Sequence, residues 1–131
     1  MKKSLIIVCS SITILIAAIL IGIFVSSKSY YPDLPIDSVS KREVIAMINQ
    51  SSEAMVKITE EGGNAWYIMQ REQGAAVNDS LKKLMTDKGW EFKEQMGAGF
   101  IFEKEGKAVI PTTRMWTRHY VLCQIPLEAL L

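Results

Sequence analysis

Histidine occurs once and cysteine twice in this 131-residue chain, and that scarcity removes several classes of chemistry at the outset. With His119 alone, and with no Cys-x-x-Cys or His-x-x-x-His spacing, a zinc site has no ligand set to draw on. Cys9 lies in an apolar run and Cys123 near the far end, so no disulfide framework is expected. A nucleophilic pair of Cys123 with His119 fails on distance, because four residues of extended chain span about 13 Å. The glycines at 62, 63, 97 and 99 do not open helices after a strand, as a phosphate-binding loop must. These absences lead us to expect no catalytic residue, no metal and no cofactor.

Charge is also missing from one long stretch. From Ser4 to Ser27 there is no charged residue, and Leu5–Val25 consists mainly of Ile, Leu, Val and Ala. As a helix this core would span about 32 Å, the thickness of a bilayer's hydrocarbon layer. The expected organisation is a retained anchor over residues 1–27, an extended linker over 28–39 and a domain over 40–131. Val25-Ser26-Ser27 also offers a signal-peptidase site near Ser27, so a secreted form is the alternative, although the apolar run is longer than a typical signal peptide's. Lys2 and Lys3 precede the run, whereas Lys28, Asp33 and Asp37 follow it. The positive-inside rule then puts the N-terminus in the cytoplasm and the domain on the extracytoplasmic side. The Met-Lys-Lys start and Ile-rich anchor resemble those of membrane proteins of low-GC Gram-positive bacteria.

All 14 acidic residues lie beyond the anchor, and so do all 15 basic ones except Lys2 and Lys3, which leaves the domain near neutral. Such a domain has no field strong enough to collect nucleic acid, so the expected partners are the membrane and another membrane or envelope protein.

Local patterns outline the domain. Prolines at 32 and 35 keep their neighbours extended. Ser40 and Glu43 fit a capping box ahead of the stripe Val44, Ile45, Ile48, predicting a helix over about 41–50. Ala54–Thr59 and Ala65–Met69 flank Gly62-Gly63 as a hairpin. Asn78 can cap a second helix bearing Leu81, Leu84 and Met85, which Gly89 stops. Trp90–Met96, Gly99–Lys104 and a long run from Ala108 to about Ile125 read as a meander, with Pro111 dividing the last run or lying on an edge. The expected class is α+β: a transmembrane helix, then an antiparallel sheet of about five strands with two helices on one face. The first helix and hairpin resemble half of a cystatin-like module of the PepSY kind, without that family's closing aspartate-glycine and valine-aspartate features.

In the expected last strand, Arg114, Trp116, Arg118 and Tyr120 alternate along one face. They are the candidate partner-binding residues, since guanidinium groups beside aromatic rings grip anionic groups. Their alternative role is cross-strand pairing with Glu91 or Glu103. A small hydrolase using Glu91, Glu94 or His119 is the competing enzyme reading, although nothing apolar surrounds these carboxylates to split their pKa values.

Overall fold

The uncharged run forms one helix. In the computed structural model, which describes residues 1–28 and 30–131, α1 spans Lys2–Ser27 and none of its side chains is buried. It is long and apolar enough to cross a membrane. Its polar residues do not interrupt it, because Ser11 Oγ donates to the Ile7 carbonyl at 2.8 Å and Thr13 Oγ1 to that of Cys9 at 2.9 Å. Lys28 ends the helix in the left-handed region at φ 59, and the rings of Tyr30 and Tyr31 stack at 4.7 Å. Ser29 lies outside the described residues.

The chain divides into Met1–Pro32 and Asp33–Leu131. The second unit is α+β, built on an antiparallel sheet whose strands are, in chain order, β1 (Met55–Glu61), β2 (Asn64–Gln70), β3 (Glu91–Met96), β4 (Gly99–Lys104), β5 (Lys107–Val109), β6 (Thr112–Met115) and β7 (Tyr120–Pro126), arranged β1-β2-β7-β6-β4-β3 with β5 also paired to β4. Helix α2, Lys41–Gln50, starts at the expected capping box: Ser40 Oγ accepts from the Glu43 amide, and the Glu43 carboxylate accepts from the Ser40 amide at 2.7 Å. Strands β1 and β2 make the hairpin around Gly62-Gly63. Helix α3 covers Gly74–Asp87, so it begins earlier than the predicted cap, and Asn78 lies inside it. Its end is as expected. Gly89 at φ +88 donates to the Thr86 carbonyl and Trp90 to that of Met85, closing a Schellman motif that brings Trp90 onto Met85 in the core.

The sheet has seven strands where about five were expected. Pro111 divides the last run: it cannot donate to the ladder, but its carbonyl accepts from the Phe100 amide at 2.9 Å. A second break falls between Met115 and Tyr120.

Residues paired across a sheet share a face. Ala65, Tyr67, Met69, Cys123 and Ile125 point to one side, where they form a core with Val77, Leu81 and Met85 of α3 and with Trp90, Phe100 and Phe102. The intervening Trp66, Ile68 and Leu122 point to the other side and are also buried. Helix α2 packs on β1 and β2 with Val44, Ile45 and Ile48, none of which joins the α3 core. The two helices thus cover opposite faces, which corrects their expected placement on one. The cause is visible in β2, where Ala65-Trp66-Tyr67-Ile68-Met69 is buried at every position and so needs cover on both sides.

Candidate functional site

The hairpin of β6 and β7 carries the four residues singled out by sequence, but they do not lie on one strand. Chain direction reverses after Met115. The amides of Trp116 and Thr117 both donate to the Tyr120 carbonyl at 3.1 Å, and Thr117 Oγ1 accepts from the amides of His119 and Tyr120, each at 3.1 Å. A threonine hydroxyl therefore builds a turn that lacks glycine, proline, asparagine and aspartate. The turn is tied down by the Arg71 amide, which donates to the His119 carbonyl at 2.9 Å.

Arg114 pairs with Leu122 across the hairpin, so it lies on the α2 side of the sheet and is exposed there. Trp116 and Tyr120 face each other at the hairpin's closing end, rings 6.3 Å apart and tilted by 41°. Trp116 is only 7% exposed, whereas Arg118 stands exposed at the tip. The hairpin brings the two rings together and leaves both arginines exposed. Glu91 and Glu103 do not pair with those arginines; both approach Lys93, at 3.2 and 3.7 Å.

The other sequence candidates are dispersed. Cys123 is fully buried against α3 while His119 is exposed in the turn, so they form no pair. Burial pushes the Cys123 thiol up to about 12, which suits a packing role and not a nucleophile. Glu91 and Glu94 both lie exposed on the edge strand β3. Among the described residues no three His, Cys, Asp or Glu side chains converge as a metal site.

Two surface depressions were not anticipated from sequence. One, of about 460 Å³, lies between the β4–β5 turn and the C-terminal turn, lined by Trp90, Lys104, Lys107, Val109 and Glu128. The other, about 420 Å³, lies between β1 and α3, lined by Met55, Tyr67, Ser80, Lys83, Leu84 and Asp87. Histidine and cysteine line neither one, and each mixes lysine with carboxylate; a smaller depression of about 290 Å³ at the hairpin turn is lined by Gln70, Glu72, His119 and Tyr120.

Both sheet edges are blunted against strand addition. The register shifts between Lys57 and Thr59 in β1 and between Phe92 and Glu94, around Lys93, in β3. A bulge with a lysine twists and charges an edge, which discourages pairing with another chain. Contact with a partner would therefore fall to the hairpin or the faces. The chain matches no protein-family model, no curated protein and no solved structure.

Proposed function

We propose that this chain is a membrane-anchored binding or regulatory domain with no catalysis of its own, its N-terminus cytoplasmic and its folded unit extracytoplasmic. The observation that carries the reading is α1, in which the uncharged, mainly apolar stretch from Ser4 to Ser27 is exposed throughout. Water penalises such a surface and a bilayer accepts it, with every backbone group satisfied inside the helix. Lys2 and Lys3 on one side, and Asp33 and Asp37 on the other, favour this orientation.

On this reading the partner is another membrane or envelope protein, met by the β6–β7 hairpin. Arg114 and Arg118 supply planar donors for a carboxylate or another anion, and Trp116 and Tyr120 stiffen the platform from which they project. The test is cross-linking in intact cells, followed by detergent extraction and pull-down, with the wild type compared with the Arg114→Glu, Arg118→Glu double variant. A partner adduct that weakens in the variant supports the reading, and recovery of the protein always alone counts against it. A secreted form, cut near Ser27 at the helix end, is the second reading, and the mass of the mature protein separates the two.

A further inference from the structure

Residues 33–39 follow Pro32 and contain Pro35, as a linker would, yet they are fastened to the sheet, and the fastening converges on one carboxylate. Glu61, the last residue of β1, accepts the Asp37 amide at 3.1 Å to each oxygen, the Ser38 amide at 3.2 Å and Ser38 Oγ at 2.8 Å. Ser38 Oγ also lies 3.0 Å from Thr59 Oγ1. Ile36, just upstream, is only 4% exposed, and Asp33 meets Lys41 Nζ at 3.0 Å. The ladder of β1 with β2 runs from Met55 to Glu61 without help from this segment.

A carboxylate collecting three donors is a strong acceptor only while it is ionised. Among the described residues no salt bridge reaches Glu61. Of the charged groups on the elements packed around it, Lys57 pairs with Glu60, Lys41 with Asp33 and Glu43 caps α2, Arg42 makes no ion pair among the described residues, and Asp37 lies on the segment itself. The hydrogen bonds from Asp37, then those from the Ser38 hydroxyl and amide, therefore hold the Glu61 carboxyl below its ordinary 4.5.

We propose that Asp33–Val39 is a detachable strap whose docking depends on the negative charge of Glu61, and that its release lengthens the tether between α1 and the sheet while leaving the sheet folded. The tether's meaning rests on the anchor reading above, whereas the detachment itself does not. Released, residues 33–39 add up to roughly 23 Å of extended chain to the tether. Because the folded pKa is lowered, docking is fully favoured above 4.5 and is lost as pH falls through the lower folded value.

The test is amide hydrogen exchange on the full chain in detergent micelles at pH 7, comparing wild type with Glu61→Gln and Glu61→Ala. The expected result is a fall of about tenfold in protection at the Asp37 and Ser38 amides, with Ile68 and Leu122 unchanged. Ser38→Ala, a milder change, should lower protection at the same amides by less. Wild-type protection at Asp37 and Ser38 in Glu61→Gln, which removes the charge but keeps an acceptor oxygen, would overturn the dependence on charge. Equal loss at Ile68 would overturn detachment, since strap and sheet would then open as one. A failed anchor reading would show separately, as full-length protein in the soluble cell fraction with the amide result intact.

Discussion

Cys123 is 0% exposed, paired with Tyr67 on one side and Thr113 on the other within the core beneath α3. Burial raises its thiol from 9.0 to about 12, so below pH 9 the thiolate is about a thousandfold scarcer in the folded protein than in the unfolded chain. Since the thiolate is the nucleophile, native Cys123 should react with a water-soluble maleimide at least about a thousandfold more slowly than denatured Cys123, before steric protection is added. The assay uses a Cys9→Ser background in detergent at pH 8, with labelling counted by mass across a urea series. Labelling should begin only where the tertiary tryptophan signal is lost, because a core residue opens with the global transition. The pH dependence has a definite sign. The fold favours the neutral thiol, so its contribution is complete below 9.0 and is lost as pH rises toward 12, about 4 kcal/mol in full. The urea midpoint should fall across that window, and Cys123→Ala should flatten the fall, leaving the parts due to Tyr67, which burial also raises, and to Lys57 and Lys93, which their carboxylate partners raise. Native labelling within tenfold of the denatured rate would refute the buried placement of β7.

Three further outcomes test the packing by urea unfolding. Gly89→Ala should cost about 1–2 kcal/mol, since φ +88 strains any side chain and the new Cβ would meet Lys104 Cε at 3.3 Å; Gly62→Ala, at φ +63 in open space, should cost less. Trp90→Phe removes the donor that reaches the Ala129 carbonyl at 2.8 Å, and leaving that buried acceptor unmet should cost about 1–3 kcal/mol beyond the lost ring area. Leu81→Ala, at a fully buried α3 position, should cost about 2–5 kcal/mol, while Arg118→Ala at the exposed tip should stay within about 0.5 kcal/mol.

Much of this architecture is written in short-range pattern. The apolar run sets α1, Ser40 and Glu43 start α2, Gly62-Gly63 turns the first hairpin, Gly89 stops α3 and Pro111 splits the last run. Each signal acts within a few residues, through a cap, a positive φ or a missing donor, so each is readable without knowledge of the rest of the fold.

Other features depend on partners distant in sequence. The turn at Thr117 to His119 carries no punctuating residue and exists because a hydroxyl and the Arg71 amide hold it, so an apparently unbroken strand became a hairpin. Seating linker-like residues 33–39 on the domain took Glu61, more than twenty residues away, to gather their amides. Local pattern fixed the apolar helix, both domain helices and the first hairpin. The tertiary structure alone decided which face each helix covers, where Arg114, Trp116, Arg118 and Tyr120 meet, and what Glu61 holds, because packing and long-range hydrogen bonds form only once the chain has closed on itself.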